Sequence, residues 1–444
     1  FAEVSKADED IVLRAIDAAD TAFRKAELPA YERYTILHEA AKQLEHQKEE
    51  MAQMIMMEAG KPIKHARAEV DRAVQTLIIS AEEAKRITGE GVPVEAAPGS
   101  ENRIAFTIRV PVGIVAAISP FNFPLNLVAH KIAPALAAGN AVILKPASKT
   151  PISALMLAQI LQDAGLPDGM LQVLPGSGST VGNQLMQDER IALYTFTGST
   201  EVGLQLKQRT GLRKLILELG NNSPVLVDQD ADLEKASQAI AAQSFAYAGQ
   251  VCISVQRIYV HEKVKEAFLE KLLVAIKALK VGDPSDPNTD VGPMIDEKEA
   301  KRAEKWIHEA IDAGAKLIYG GTRNNAFIEP TVLTDVSSGM KVVGEEIFAP
   351  VVSVIEYEKI EDCLYEVNRS SYGLQGAIFT QNINTAFYAA KHMEVGGLMV
   401  NDASSYRVDL MPYGGVKNSG SGKEGPKYTI KEMTDEKLIV WNLD

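Results

Sequence analysis

One cysteine of this sequence stands among small and polar neighbours, where it could do nucleophilic chemistry. Cys252 ends the segment Ala248–Cys252, outside any apolar run. A nucleophilic cysteine must reach solvent and be activated by a base or a local dipole. The alternative is a thiol that packs as a small hydrophobe, as buried cysteines often do. Cys363, on a helical stretch, fits this alternative better, whereas on local sequence both interpretations stay open for Cys252.

Charged residues at the ends of apolar strands are candidates for acid–base chemistry or for holding an anion. Glu218 lies within the apolar segment Leu215–Leu219, and Lys145 ends the segment Ala141–Lys145. Such a carboxylate either is desolvated, with the raised pKa of a general base, or points outward at the strand end. Lys145 is either a ligand-binding cation or a solvated lysine before a proline. Both follow a strand, where catalytic groups of α/β proteins gather.

A polar amide and two acids stand beside aromatic residues. Asn122 is flanked by prolines and phenylalanines in Pro120–Pro124, and Glu345–Phe348 places two acids before an aromatic residue. Rigid flanks could pre-set the Asn122 amide as a donor to an oxyanion, which is worth most where water is excluded. The alternatives are an asparagine that serves a turn and an acid pair on the solvated surface.

Two glycine-rich loops, Gly176–Gly182 and Gly198–Gly203, each follow an apolar strand and precede a helix. The free N–H groups and the dipole of a helix N-terminus favour phosphate at such a place. Neither loop matches the pattern G-x-G-x-x-G, and glycines here also simply make turns. Two such loops in succession favour a phosphate-bearing ligand more than either does alone.

Other chemistries lack their motifs. The sequence contains no G-x-S-x-G, no G-x-x-x-x-G-K-[ST], no H-E-x-x-H and no His or Cys pair at metal-ligand spacing. Hydrolase, P-loop kinase and zinc-site interpretations therefore lose their best evidence, and we expect no metal.

Composition limits the partners and the compartment. Among 444 residues, 46 Lys and Arg against 59 Asp and Glu give a net charge of −13, which offers no general attraction to nucleic acid or an anionic membrane. The most apolar stretch, Val110–Leu136, is interrupted by prolines and polar residues, so we expect no membrane span. Two cysteines argue against a disulfide framework and favour a reducing compartment, the cytoplasm. The chain begins with Phe1 rather than Met, which indicates that its start is missing.

Periodicity indicates the elements that position these residues. From Ala7 to Gly91 apolar residues recur at a spacing of 3.6, which predicts a helical layer. Ser5 and Asp8 form a capping box for the first helix, and Gly60 and Gly89 lie where C-terminal caps would.

Beyond this layer strands and helices alternate. Repeated βα units with short apolar strands predict parallel sheets covered on both faces. The predicted strands, with helices between most of them, are 103–118, 141–145, 170–174, 193–197, 214–219, 225–227, 257–260, 351–355, 376–379, 398–401 and 437–441.

Taken in order along the chain, these features resemble the NAD(P)-dependent aldehyde dehydrogenase family, and most closely its lactaldehyde- and succinate-semialdehyde-type members. The resemblance covers nearly the whole chain. The family's markers appear as Pro120–Pro124, Lys145-Pro146, Phe196–Gly203, Leu217–Gly220, Gly249–Cys252, Glu345–Phe348 and Pro412–Gly420.

The resemblance implies oxidation of an aldehyde to the carboxylic acid. Cys252 would form a hemithioacetal, whose oxyanion Asn122 and the Cys252 backbone N–H would stabilise. After hydride transfer a thioester remains, and Glu218 would activate the water that hydrolyses it. Lys131 and Glu424 match positions that are linked to proton relay in the family. A thiolate is a good leaving group, so oxidation and hydrolysis become two modest barriers.

The resemblance also implies NAD or NADP as cofactor, with Lys145 and Glu346 holding the two riboses. The residues that match cofactor-binding positions are Ile118, Ser119, Pro120, Phe121, Lys145, Ser148, Gly178, Phe196, Gly198, Ser199, Val202, Leu219, Glu346 and Phe348.

The implied architecture is α/β, with two domains, a small arm and a connecting segment. Residues 1–90 and 112–220 would form a Rossmann-like parallel-sheet domain for the cofactor, and residues 221–417 a second α/β domain for catalysis. Residues 91–111 and 430–444 would form a small β arm that joins subunits into a homodimer or homotetramer. Residues 418–429 would be the segment that returns the chain to this arm.

Four positions bear on cofactor and substrate choice. Ser148 stands where many NAD-specific members of the family have Glu, so NADP stays open as an acceptor. Val251, before Cys252, offers no charge to a substrate phosphate, which favours a short hydroxyaldehyde or semialdehyde. Arg407 and Arg103 are candidates for holding an acidic group of the substrate, although an outward-facing arginine is the commoner case.

Two other functions remain as alternatives. A CoA-acylating semialdehyde dehydrogenase would release the thioester to CoA, but members of that kind generally lack the glutamate found at Glu218. A non-catalytic binding or structural protein on the same fold would not need Cys252, Glu218 and Asn122 together.

Overall fold

Helices and parallel strands alternate along the chain. The structure is a computed structural model and describes residues 2–26 and 28–443. Phe1 and Asp444, which fall within the predicted ranges, lie outside the described residues. The helices are α1 Glu9–Lys25, α2 Ala30–His46, α3 Lys48–Ala59, α4 Ile63–Ala84, α5 Asn126–Ala137, α6 Ile152–Asp163, α7 Asn183–Gln187, α8 Thr200–Arg209, α9 Leu233–Phe245, α10 Lys265–Lys277, α11 Glu297–Asp312, α12 Lys341–Gly344, α13 Ile360–Asn368, α14 Ile383–His392 and α15 Pro426–Glu432.

The strands belong to three larger sheets and one short hairpin. They are β1 Gly91–Val92, β2 Arg103–Pro111, β3 Ile114–Ile118, β4 Ala141–Lys145, β5 Leu171–Val173, β6 Ile191–Thr197, β7 Lys214–Glu218, β8 Pro224–Val227, β9 Arg257–His261, β10 Lys316–Tyr319, β11 Arg323–Asn324, β12 Phe327–Ile328, β13 Thr331–Thr334, β14 Val351–Tyr357, β15 Gln375–Phe379, β16 Gly397–Val400, β17 Gly420–Ser421 and β18 Thr434–Asn442.

The predicted helical layer consists of α1 to α4. Asp8 is itself the N-cap of α1, because its Oδ1 accepts a hydrogen bond from Ile11 N at 2.9 Å, so the capping box opening at Ser5 is wrong. Gly60 caps α3 in the left-handed conformation, with φ 64°, as predicted. Gly89 lies beyond the end of α4 and is not a cap. It lies against β2, where a Cβ would be 1.7 Å from a backbone oxygen.

The first sheet has the strand order β17-β7-β6-β3-β4-β5 and is parallel except for β17. Its buried strands pack against α1 to α6, and this confirms the predicted Rossmann-like parallel sheet. In register, Ile118 lies beside Lys145 and Phe196, and Thr197 lies beside Glu218. The carboxyl ends of four strands therefore present these side chains at one edge, where α/β sheets bind ligands.

The second sheet has the order β10-β13-β14-β9-β8-β15-β16 and is parallel except for β10. One face packs against α9, α10 and α11, and the other against α13 and α14. This sheet confirms the second α/β unit. The segment that connects the two sheets, between β7 and β8, and the segment that connects α9 to β9 carry the residues described below.

The predicted strand Arg103–Ile118 is two strands in different sheets. Gly113 lies between β2 and β3 with φ 127°, and the chain changes sheet there. β2 pairs antiparallel with β1 and with β18, which together form a separate three-stranded sheet. The alternation of apolar residues continues across Gly113, so periodicity alone did not mark the change. No helix among the described residues is long and apolar enough to cross a membrane.

Candidate active site

Cys252 follows α9 on a segment of uncommon backbone conformation. Tyr247, Ala248 and Gly249 have φ values of 48°, 52° and 68°, in the left-handed region that non-glycine residues rarely adopt. Glycine is required at 249, because a Cβ would lie 2.2 Å from the backbone oxygen of Ala349. Strained backbone persists only where the surroundings hold it, and it concentrates at functional sites. Cys252 is half-buried just beyond this turn.

Asn122 lies beside the same segment. Its side chain is buried, and Nδ2 donates to the backbone oxygen of Gln250 at 2.9 Å, two residues before Cys252. One Nδ2 hydrogen remains, and the backbone N–H of Cys252 donates to no other described residue. The structure thus brings Asn122 and Cys252 together. The free Nδ2 hydrogen of Asn122 and the free backbone N–H of Cys252 are the kind of donors that an oxyanion needs.

The Cys252 thiol contacts a tyrosine that the sequence did not single out. Sγ lies 2.9 Å from Oη of Tyr413, which is buried. The guanidinium of Arg407 stacks on the Tyr413 ring, with Cζ 3.6 Å from the ring centroid. Burial raises the pKa of Cys252 to about 12, and the Tyr413 hydrogen bond and the Arg407 charge act against this rise. The resting thiol is therefore protonated, with two groups in place to stabilise a thiolate.

Glu218 ends β7 as a buried carboxyl group without a partner. Its side chain is 2% exposed, and neither oxygen makes a hydrogen bond to any described residue. Burial and, after it, the charge of Glu424 raise the pKa of Glu218 well above its ordinary value. Gly414 gives it room, because a Cβ there would lie 3.0 Å from Glu218 Oε1. A desolvated, unpaired carboxyl group is suited to take a proton from water.

Lys131 and Glu424 form a buried ion pair next to Glu218. Lys131 Nζ donates to Glu424 Oε1 at 3.0 Å and to Thr195 Oγ1 at 3.2 Å. Arg407 Nη2 lies 3.3 Å from the other carboxylate oxygen. The two cations lower the pKa of Glu424, although its burial alone would raise it. The site therefore holds two acids whose pKa values are pushed apart, which is how acid and base roles are divided.

Arg407 belongs to a charge network rather than to the surface, so its outward-facing interpretation is wrong. Its side chain is 5% exposed, and Nη2 also lies 3.3 Å from His130 Nε2. His130 Nε2 lies 2.8 Å from Asp409 Oδ1, which Arg72 Nη2 holds at 2.8 Å. Burial lowers the pKa of His130. Arg103 takes no part in this network, because it lies on β2 and donates to a backbone oxygen of its own loop.

A cleft of about 200 Å³ opens at the carboxyl ends of the first sheet. Its lining residues are Ile118, Lys145, Gly178, Gly182, Met186, Phe196, Ser199, Val202, Gln205 and Leu206. Lys145 is buried, donates to its neighbour's backbone oxygen at 3.2 Å and has no carboxylate partner among the described residues; burial lowers its pKa. Ser199 is the N-cap of α8 and accepts a hydrogen bond from Val202 N at 3.4 Å. Gly182 belongs to the first glycine-rich loop, whereas Met186, Gln205 and Leu206 were not predicted and lie on α7 and α8, the helices that follow the two loops.

A second cleft, of about 260 Å³, extends towards the cysteine segment. Its lining residues are Phe121, Ala147, Ser148, Lys149, Gln250, Met294, Ile295, Glu299 and Phe348. The Phe121 and Phe348 rings meet edge to face, with centroids 6.0 Å apart, and Phe348 has φ 48°. Ser148 Oγ donates to the backbone oxygen of Gly176 at 2.9 Å. This cleft leads to Gln250, whose backbone oxygen is the one that Asn122 binds.

Glu346 lines neither cleft but is fixed between the two sheets. Its Oε1 accepts a hydrogen bond from Asn221 N at 3.0 Å. Desolvation of this half-buried carboxyl raises its pKa to about 7. Gly220 leaves room for this carboxyl group, because a Cβ there would lie 2.6 Å from Glu346 Oε2 and the carboxyl would have to shift.

The other predicted cofactor residues, Ser119, Pro120, Gly198 and Leu219, flank the clefts without lining them. Ser119 N donates to the Lys145 backbone oxygen at 3.2 Å, which ties the loop after β3 to the end of β4. Gly198 lies against the Phe196 ring, where a Cβ would be 2.5 Å from the ring edge. These residues shape the backbone around the clefts.

The two clefts fit a dinucleotide. Lys145 is a buried cation without a counter-ion, and the N-terminus of α8 offers free N–H groups. Gly178 and Gly182 leave open space, since a Cβ at either would meet nothing within 4 Å. By contrast, no group of three His, Cys, Asp or Glu side chains in the described residues could hold a metal ion.

Comparisons with known proteins agree with this chemistry. The sequence profile of the aldehyde dehydrogenase family matches residues 1–439. Over 442 residues the chain is 56% identical to the 3-sulfolactaldehyde dehydrogenase of Priestia megaterium, with 100% of this chain and 92% of the relative covered. Over 434 residues it is 44% identical to the lactaldehyde dehydrogenase of Methanocaldococcus jannaschii, with 96% and 92% covered.

Solved structures share the whole fold. The glyceraldehyde-3-phosphate dehydrogenase GapN of Methanocaldococcus jannaschii, complexed with NADP, superposes with a TM-score of 0.96 and 42% sequence identity, covering 100% of this chain and 96% of the other. The family profile, the identity over nearly the full length and the fold agree. This chain belongs to the aldehyde dehydrogenase family.

Proposed function

We propose that this chain oxidises a short hydroxyaldehyde or semialdehyde to the carboxylic acid, with NAD or NADP as acceptor. The observation that carries the proposal is the arrangement around Cys252. The Asn122 amide binds the backbone two residues before it, and the Glu218 carboxyl, which has no partner among the described residues, is close enough to affect its pKa. The names of the two relatives, which act on sulfolactaldehyde and lactaldehyde, support a short hydroxyaldehyde.

Cys252 supplies the nucleophile in the first half of the reaction. The half-buried Cys252 thiol first gives its proton to solvent water. The resulting thiolate, which Tyr413 and Arg407 stabilise, bonds through Sγ to the carbonyl carbon, and the carbonyl oxygen becomes an oxyanion. The free Nδ2 hydrogen of Asn122 and the Cys252 backbone N–H receive that oxyanion. Bound NAD(P)+ supplies the acceptor for the hydride that leaves the carbon. The carbonyl re-forms as a thioester on Cys252.

Glu218 supplies the general base in the second half of the reaction, the hydrolysis of the thioester. Its carboxylate takes a proton from a water molecule, whose oxygen attacks the thioester carbon. The carbon–sulfur bond then breaks, the acid leaves and the Cys252 thiolate is restored. Lys131 and Glu424 are the buried pair through which we expect the proton to leave Glu218.

The cofactor would lie across the two clefts. Lys145 and Glu346 would hold ribose hydroxyls, and Gly178 and Ser199 would line the phosphate-bearing part. Position 148 carries a serine and no carboxylate, so a 2′-phosphate beside it would meet no negative charge from that side chain; Lys149, paired with Asp296, and Glu299 line the same cleft. The NADP complex of the related GapN supports NADP as one acceptor.

Arg407 is the cation available to an acidic group on the substrate. Its Nη1 makes no hydrogen bond to a described residue, while Nη2 is held by Glu424 and His130. Its stacking on Tyr413 places it next to the thiol-bearing end of the site. A sulfonate or carboxylate on a short aldehyde would thus find a fixed positive charge.

We further propose a homodimer or homotetramer in the cytoplasm. The three-stranded sheet of β1, β2 and β18 exposes apolar side chains, among them Ile104, Leu438 and Trp441, which are 52%, 56% and 59% exposed. Exposed apolar surface of this kind is typical of an interface.

Two free cysteines support a reducing compartment. The first sheet with α1 to α8 would form the cofactor domain, and the second sheet the catalytic domain.

An absorbance screen tests the function. Lactaldehyde, sulfolactaldehyde and succinate semialdehyde are each mixed with NAD or NADP, with and without CoA, and formation of NAD(P)H is followed. We expect turnover without CoA and release of the free acid. Turnover that requires CoA and gives no free acid would instead establish the CoA-acylating alternative. The Cys252→Ala variant serves as control and should lose turnover by at least about 10³-fold.

A further inference from the structure

A cavity of about 700 Å³ opens on the face of the second sheet that packs against α13. Its lining includes Arg257, Tyr259, Asn222, Gly339 and Cys363. None of its lining residues lines either cofactor cleft. Its volume lies in the range of pockets that bind small molecules.

The floor of this cavity carries a buried guanidinium without a counter-ion. Arg257, the first residue of β9, is 4% exposed. Its Nε donates to the backbone oxygen of Asn222 at 2.9 Å, and its Nη1 donates to Tyr259 Oη at 3.1 Å. Nη2 makes no hydrogen bond within the described part of the chain, and no carboxylate there pairs with Arg257. A buried charge without a partner is costly, and an anion in the cavity would relieve that cost.

Tyr259 adds a second donor. Its hydroxyl oxygen accepts from Arg257 Nη1, so the hydroxyl proton is left to donate. Tyr259 is 3% exposed and lines the cavity with Arg257. One guanidinium N–H group and one O–H group are therefore available at the same floor.

The unpaired charges at the rim of the cavity are mainly negative, in contrast to the cation on its floor. Glu366 is paired with Arg369 at 3.0 Å, whereas Glu358, Lys359 and Asp362 have no ion pair with any described residue. The unpaired rim charges are thus two acids and one lysine, above a cationic floor. A compact dianion would meet repulsion on entering, while a molecule with an anionic head and a cationic tail matches both levels.

We propose that this cavity is a second binding site, for a small zwitterion. Its carboxylate or phosphate head accepts hydrogen bonds from Arg257 Nη2 and the Tyr259 hydroxyl. Its ammonium group lies at the rim beside Glu358 and Asp362. The site is separate from the aldehyde chemistry, because no lining residue belongs to the cluster around Cys252.

Isothermal titration calorimetry of the full-length enzyme saturated with NADP tests the proposal. The probes are 4-aminobutyrate, which joins a carboxylate to an ammonium group, and phosphoethanolamine, which joins a phosphate to one. Succinate and putrescine are the probes with two like charges. We expect at least one zwitterion to bind with a Kd of about 1 mM or tighter, and the like-charged probes to bind at least about tenfold more weakly. Which zwitterion binds distinguishes a carboxylate from a phosphate head.

Two variants locate the binding. Arg257→Met removes the charge, and Gly339→Trp fills the cavity from a position whose Cβ would meet nothing within 4 Å. Each should weaken the zwitterion at least about tenfold while aldehyde turnover stays unchanged, and Arg24→Met, on an exposed face of α1, should change neither. If Arg257→Met fails to fold, Gly339→Trp still decides. Absence of zwitterion binding to the wild type, or binding that survives Gly339→Trp, would overturn the proposal.

Discussion

The Sγ atom of Cys252 lies 2.9 Å from the hydroxyl oxygen of Tyr413, and the Arg407 guanidinium stacks on the ring of that tyrosine. Burial opposes ionisation of the thiol and is the largest effect on its pKa, whereas this hydrogen bond favours the thiolate. The fraction of reactive thiolate at neutral pH is set by that balance. Tyr413 therefore tunes the nucleophile and also fixes the position of its sulfur atom.

Removing the Tyr413 hydroxyl should make the nucleophile harder to ionise. In Tyr413→Phe the thiolate loses a hydrogen bond, so the pKa of Cys252 rises further and less thiolate is present at any pH below it. We expect the rate of alkylation by iodoacetamide at pH 8 to fall about three- to tenfold, from a loss of about 1 kcal/mol.

The pH profile of that alkylation distinguishes tuning from general damage. It should move to higher pH in Tyr413→Phe, while the far-ultraviolet circular dichroism and the Kd for NADP stay as in the wild type. A lower rate with an unshifted profile would show that Tyr413 only packs against the thiol.

Glu218→Gln should separate the two halves of the reaction. Hydride transfer comes before hydrolysis, so the variant should release about one NADPH per active site and then stall. Steady-state turnover should fall by about 10²- to 10⁴-fold, as expected for loss of a general base. Stopped-flow absorbance measures the burst and the steady state together. Loss of the burst itself, with Cys252 still reactive towards iodoacetamide, would place Glu218 in the first half instead.

Much of this fold follows from apolar runs in the sequence. β4 occupies Ala141–Lys145, the range that periodicity predicts, because a strand buried on both faces must be apolar throughout. β10, at Lys316–Tyr319, was not predicted; it is a largely exposed antiparallel edge strand, although three of its four residues are apolar. The split at Gly113 was also missed, since a change of sheet leaves the alternation intact.

The residues of the site, like the strands, could be predicted only in part. Glu218 and Lys145 were recognisable because each ends a strand, and strand ends meet at one sheet edge. Arg72 and Asp409, whose carboxylate orders His130, are 337 residues apart and carry no local pattern that pairs them. Contacts of that kind arise from the packing of helices on sheets and become visible only in three dimensions.

Glu346 should make cofactor binding pH-dependent around neutrality. Desolvation raises the pKa of Glu346 to about 7, so the carboxyl is mainly protonated at pH 6 and mainly ionised at pH 8. The ionised form is the stronger acceptor for ribose hydroxyls. We expect the KM for NADP to fall between pH 6 and 8 in the wild type and to be flat and about tenfold higher at pH 8 in Glu346→Gln. The exposed neighbour supplies the control, because Glu345→Gln should keep the wild-type profile.

Ionisation of Glu218 should also lower the stability of the folded protein. The folded state raises the pKa of Glu218, so ionising the carboxyl at high pH works against folding. The penalty is absent below the ordinary pKa of about 4.5 and grows as pH rises towards the folded value. Glu218→Gln should therefore raise the Tm by about 1–3 °C at pH 8 and by less at pH 5. Differential scanning calorimetry at the two values measures this, and an equal shift at both would exclude ionisation as the cause.

Ionisation of the neighbouring acid, Glu424, should instead stabilise the folded protein. The pKa of Glu424 is lowered by Lys131 and Arg407, so its ionised form stabilises the fold. That contribution is complete above the ordinary pKa of about 4.5 and is lost as pH falls below it towards the folded pKa. Glu424→Gln leaves Lys131 buried and unpaired, which costs about 3–5 kcal/mol and should lower the Tm at pH 7. The deficit relative to the wild type should narrow below pH 4.5. A Tm at pH 7 that matches or exceeds the wild type would mean that the Lys131–Glu424 pair is dispensable for folding.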